Sequence, residues 1–180
     1  MRKLSYLLLL AVLPASGQTS ELPHPTSAQF NAALETLNTS EVQWVKAISS
    51  VKVEELPVSY SDGKLIEDNK DLVVRYLVLA ETWEARVERE HSLYAEVNLA
   101  LSIQQLQDQM FDFATMLSAA NMPDRAAAKK LQDWAQAVSD IATGPLGKVN
   151  LTTTAYVTDR AHQIDQSCAI QTPAHKSSAN

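Results

Sequence analysis

Cysteine is almost missing from this chain: Cys168 is the only one. An internal disulfide is therefore excluded, and the fold must hold by packing alone. A catalytic thiol needs a neighbouring base to become a thiolate. His162 is the only histidine close to Cys168 in sequence, and no catalytic role is expected of the thiol.

Glycine is nearly as scarce. The four glycines are Gly17, Gly63, Gly144 and Gly147, all outside the long periodic segments. From Lys64 to Thr143 there is no glycine and a single proline, Pro123. Loops that cradle a phosphate or build an oxyanion hole have little to draw on. No Gly-rich phosphate loop, G-x-S-x-G, H-E-x-x-H or C-x-x-C-H motif occurs. The expectation is a protein that is not an enzyme and carries no covalent haem or other cofactor.

Positive charge is also in deficit, with 15 Lys and Arg against 21 Asp and Glu and a net charge of −6. Nucleic acid and anionic lipid both select basic surfaces, so neither is expected as a partner. Acids and bases are interspersed, which describes a solvated surface and not an acidic tail. The apolar run Leu4–Leu13 is too short for a bilayer span, which takes about 20 residues.

What is present at the start has a different use. Arg2 and Lys3 precede that run, Pro14 breaks it, and Ala15-Ser16-Gly17 offers small residues for cleavage. This is the pattern of a secretory signal peptide over residues 1–17. The mature chain is then expected to begin at Gln18 and to be exported, periplasmic or extracellular. No cysteine lies at the cut to accept a lipid anchor. Losing Arg2 and Lys3 with no acid moves the net charge from −6 to −8. Residues 18–26 are expected as a flexible leader, 27–167 as one helical domain and 168–180 as a flexible tail. Asn38-Thr-Ser and Asn150-Leu-Thr match the N-glycosylation pattern, relevant only in a eukaryote. The short leader and lack of paired cysteines favour a bacterial exported protein.

The paucity of breakers predicts long helices. Thr26-x-x-Gln29 can form a capping box, and Phe30, Leu34 and Leu37 begin an apolar face. Asn38-Thr39-Ser40 can interrupt it, with a second capping box at Ser40-x-x-Gln43. Val42, Val45, Ile48 and Val53 continue, beside Trp44, to Pro57. Residues 27–54 are thus one kinked helix or two short ones. Ser61 or Asp62 can cap the next helix. From Leu65 to Asn121 the chain carries two stripes. Leu72, Tyr76, Leu79, Trp83 and Val87 form the first; Leu99, Ile103, Leu106, Met110, Phe113 and Leu117 form the second. They differ by roughly half a revolution. Either a junction lies near residues 90–98, or one long helix changes partners midway. Residues 123–143 are the clearest helix, with Leu131, Trp134, Val138 and Ile141 on one face and Pro123 at its first position. The stretch 149–158 is strand-like in composition. With no second strand to pair with, it is expected as a helix from near Asn150 to Ser167, facing in through Leu151, Ala155, Thr158 and His162. The fold class is therefore all-α: an antiparallel bundle of four or five helices with a long central helical segment. WVKAISSV (44–51) and WAQAVSDI (134–141) share Trp, Ala and Ser at equal offsets. Two similar amphipathic helices suffice to explain this; equivalent positions against the central segment are the sharper reading.

One spacing bears on metal chemistry. Glu88-x-x-His91 and Asp159-x-x-His162 each put a carboxylate and an imidazole one helical turn apart. Ferritin-like bundles bind metal through such pairs plus two further acids. Glu35 or Glu41, and Asp133 or Asp140, are the acids available. Against this, Glu21-x-x-His24 has the same spacing in a proline-flanked leader, and Glu88 lies off the apolar stripe. Glu84, Glu88, Arg89 and Glu90 are expected as a solvated face. His162, Asp165 and Cys168 are too spread around a helix to make a zinc site. The Gln-rich stretch 104–113, QQLQDQMFDF, is a candidate surface for an unknown protein partner or for self-association. The expected function is contact with protein, with a metal-binding bundle as the alternative.

Overall fold

A computed structural model describes residues 24–120, 122 and 124–171. The expected signal peptide and the Pro123 position lie outside them. The elements are α1 (Ser27–Ser49), a 3-10 turn (Val53–Glu55), α2 (Tyr60–Glu90), α3 (Leu93–Ala119), α4 (Arg125–Thr143) and α5 (Pro145–Gln171). The fold is an all-α bundle, with no strand among the described residues.

α1 starts where its capping box predicts. The Thr26 hydroxyl accepts from the Gln29 N–H, and the Gln29 side chain accepts from the Thr26 N–H. The helix then passes through Asn38-Thr39-Ser40 without a break. The expected second start at Ser40 does not form, and the Thr36 and Thr39 hydroxyls donate back to the carbonyls of Ala32 and Glu35 within the unbroken helix. Ser59, not Ser61 or Asp62, caps α2 by accepting from the Asp62 N–H. Gly63 falls inside the first turn of α2. A Cβ there would press on Val58 at 3.3 Å, so the turn packs closely over the preceding loop.

Residues 65–121 are not one long helix. α2 ends at Glu90, and His91 takes a left-handed conformation with φ 46°. Ser92 immediately caps α3 by accepting from the Ala95 N–H. With two residues between them, α2 and α3 fold into an antiparallel hairpin. The cross-links Trp83 to Tyr94 and Gln109 to Asn69 run in opposite directions along the pair.

α3 is the hub of the bundle and packs against α2, α4 and α5. Its expected stripe is buried throughout, from Leu99 to Leu117. α1 lies mainly against α5, with lesser contact to α4 and α2. Its backbone does not approach α3, whereas α4 packs on α3 directly. The two Trp-containing helices therefore occupy different places, and their shared pattern reflects amphipathicity alone. Trp44 is fully enclosed, while Trp134 is partly covered with the Lys130 ammonium over its ring.

Two helices are turned from their expected phase. α2 buries Ile66, Val73, Leu77, Ala80 and Val87, leaving Leu72 and Leu79 more than a third exposed. α5 starts at Pro145, earlier than Asn150, and faces inward through Val149, Thr153 and Val157. Leu151 is 60 % exposed. The Thr153 hydroxyl donates to the Val149 carbonyl, which lets a polar residue sit in the core. The expected leader and tail are partly engaged: Pro25 is buried, and α5 runs to Gln171.

Candidate functional site

The four candidate ligands do not assemble. Glu88 and His91 are exposed at the end of α2, and His162 is exposed on α5. Asp159 accepts hydrogen bonds from His24 Nδ1 at 2.8 Å and from Gln163 Nε2 at 2.7 Å. The two pairs share one end of the bundle, because Arg160 Nη2 donates to the His91 carbonyl at 3.2 Å. Even so, no group of three His, Cys, Asp or Glu among the described residues is placed to hold a metal ion. Of the supporting acids, Glu35 is exposed, Asp133 pairs with Lys129, and Asp140 accepts from Gln136. His162, Asp165 and Cys168 all lie on the exposed part of α5.

Two carboxylates expected on the surface, or not singled out at all, are buried instead. Glu84 is 5 % exposed, held between α1 and α2 by the Asn38 side chain, which donates to Glu84 Oε1 at 2.8 Å. Burial is the main cause that raises its pKa to about 7, with the negative charges of Glu88, Glu41 and Glu81 adding to it and the Asn38 bond opposing. Glu81 is also raised, first by burial and then by a hydrogen bond to Glu41 and its charge. At the α1–α2 junction, therefore, the Glu84 carboxyl holds its proton up to near neutral pH.

In the first turn of α3, Glu96 is 3 % exposed and pairs with Arg160. Burial raises its pKa, outweighing the opposing charges of Arg160 and His91. Glu96 Oε2 is enclosed with no hydrogen-bond partner among the described residues. Arg160 ties the elbow to α5 by bonding both Glu96 and the His91 carbonyl. This explains the fixed left-handed His91: its carbonyl is one of the anchors of the bundle.

The Gln-rich stretch does internal work. Gln107 Nε2 donates to the Ala142 carbonyl, and its Oε1 accepts from Asn150, joining α3 to the α4–α5 corner. Leu106, Met110 and Phe113 are buried in the core. Exposed apolar side chains lie elsewhere, Val74 and Val78 on one side of α2 and a larger group on the flank of the α2–α3 hairpin. Leu65, Leu72 and Leu79 are exposed on α2, and Tyr94 and Leu101 on α3. Trp83 meets Tyr94 edge to face at 5.7 Å between ring centroids, with the Arg86 guanidinium 5.0 Å from the Trp83 ring. Between α1 and α5 there is also a groove of about 440 Å³ lined by Ala33, Thr36, Val149 and Ala155, with His24 and Lys148.

Comparison with known proteins adds no relative: no protein family, no curated protein and no solved structure matches this chain. No described helix is long and apolar enough to cross a membrane.

The signal for the hairpin face was in the sequence, in the stripe Leu72, Tyr76, Leu79 and Trp83. Of that stripe Tyr76 and Trp83 do pack against the core, while Leu72 and Leu79 turn outward. The signal for Glu84 was weaker. It stands seven residues after Leu77 and three before Val87, both buried, so the buried phase of α2 passes through it.

Proposed function

We propose that this protein is an exported, non-catalytic helical bundle that works by contact with protein. The observation that supports the reading is the apolar face of the α2–α3 hairpin. Leu65, Leu72, Leu79, Tyr94 and Leu101 are all more than a third exposed and share one side of two adjacent helices. An aromatic and aliphatic patch with an arginine at its edge is the composition of interface centres. The export half of the reading rests on the signal-like pattern of residues 1–17.

Two measurements test it. N-terminal sequencing of protein recovered outside the cytoplasm should begin at Gln18; recovery only in the cytoplasm with Met1 intact removes the export half. A photoreactive amino acid at Leu79 or Leu101, in the producing cell, should give a discrete protein adduct, and one at Asp133 should not. Equal or absent adducts at all three positions remove the contact half.

A further inference from the structure

α2 carries two apolar seams. Ile66, Val73, Ala80 and Val87 recur every seven residues and are buried. One residue earlier, Leu65, Leu72 and Leu79 recur with the same period, 53 %, 38 % and 37 % exposed. Tyr76, between Leu72 and Leu79, and Trp83, after Leu79, give the alternating four and three spacing of a paired helix over 72–83. At about 100° per residue, the second seam stands roughly a quarter turn from the first. That is the angle between the two neighbours of a helix at the corner of a four-helix bundle. α3 fills one of those places. α1 lies on the opposite flank, where Asn38 meets Glu84. Tyr76 and Trp83 rest partly on the core, and Trp83 also on Tyr94 of α3, while the outer sides of Leu65, Leu72 and Leu79 stay exposed. Tyr94 and Leu101, seven residues apart on α3, extend the same face.

We propose that the occupant is a second copy of this chain, with the two α2 helices antiparallel about a twofold axis. This deepens the contact reading above and rests on it. The argument for a second copy is the charge pattern beside the seam. With Leu72 set against the partner's Trp83, and Tyr76 against the partner's Leu79, Asp68 falls beside the partner's Arg89. The twofold axis repeats the match, so one sequence supplies both halves of two ion pairs. Asp68 borders the seam and Arg89 lies just beyond its Trp83 end, both exposed. Asp68 also pairs with Lys64 of its own helix at 3.0 Å, which makes the contact a small network. A helix of 31 residues is about 46 Å long.

Sedimentation of the full chain over a wide concentration range should show a monomer–dimer equilibrium. Leu72→Glu combined with Leu79→Glu should weaken the dimer by at least about tenfold while leaving the helical circular dichroism intact. Asp68→Arg and Arg89→Asp should each weaken it, and the two together should restore it. These exposed positions decide the matter even if the leucine variants fail to fold. A monomer at every concentration, or a dimer that no such variant alters, overturns the pairing. So does a double charge variant that stays as weak as the singles. The contact reading fails separately. A monomer whose Leu79 still cross-links to a different protein sinks only the pairing, and a monomer that cross-links to nothing sinks both.

Discussion

Replacing Glu84 by Gln should make the protein more stable at alkaline pH and leave it unchanged in acid. The carboxyl titrates at an ordinary 4.5 in the unfolded chain and at about 7 in the folded one. Below pH 4.5 it is protonated in both states and pH has no leverage through it. Between 4.5 and 7 the unfolded chain releases a proton that the folded chain retains, so stability falls as pH rises. Above 7 both are ionised and the full penalty is in place. A shift from 4.5 to about 7 corresponds to at most roughly 3 kcal/mol at 1.36 kcal/mol per unit. Asn38 sits at the exposed rim of the site, and water there screens part of the charge, leaving about 2 kcal/mol. Gln keeps the shape, and its amide oxygen can accept from Asn38, so the variant removes charge without removing the bond. For a chain of this size, 2 kcal/mol is about 4–8 °C in Tm. Melts followed by circular dichroism at pH 5 and pH 8.5 check it. The wild type should lose several degrees between the two, and Glu84→Gln should lose much less. A variant that melts lower than wild type at pH 8.5 refutes the reasoning, because it would mean that the ionised carboxylate is stabilising.

Arg160→Met should destabilise by about 2 kcal/mol near pH 8, because it leaves the buried Glu96 carboxylate without its counter-charge. Adding Glu96→Gln should recover most of that, and denaturant titration of the two variants measures both. Thr26→Ala should cost about 1 kcal/mol by removing the cap of α1, read as earlier loss of helical signal on heating. His91→Gly should be neutral or stabilising by up to about 1 kcal/mol, since glycine accepts the left-handed backbone and the anchoring carbonyl is kept. Metal analysis of wild type and His91→Ala should give the same, sub-stoichiometric content; a stoichiometric metal lost in the variant would revive the ferritin-like alternative.

Helix content was the legible part of the sequence, because it depends on local chemistry: few breakers, a capping box at Thr26, and the Leu99–Leu117 stripe. The seam on α3 was read in the right phase because α3 is surrounded by partners and has one dominant apolar stripe. α2 has two seams side by side. Sequence alone favours the bulkier one, Leu72 to Trp83, whereas the fold buries the smaller Val73 and Ala80, which let α3 come close. Glu84 follows from the same error, since a phase one residue out turns a buried acid into a surface one. The elbow at His91 was visible only as a mismatch of stripes. Nothing in a histidine announces a left-handed backbone, and what holds it there is Arg160, 69 residues away.

The order in which the helices find one another differs from the order in which they are made. α2 and α3 meet across a two-residue elbow and can close as soon as both have left the ribosome. α1 must wait, because its chief partner is α5, and Phe30 stacks on Tyr156 at 4.3 Å between centroids. Through most of its synthesis the chain therefore carries a first helix without its chief cover, so that a truncated product ending after α4 would leave the α5-facing side of α1, Phe30 included, unburied. Release of a finished, protected molecule is tied to arrival of its last segment.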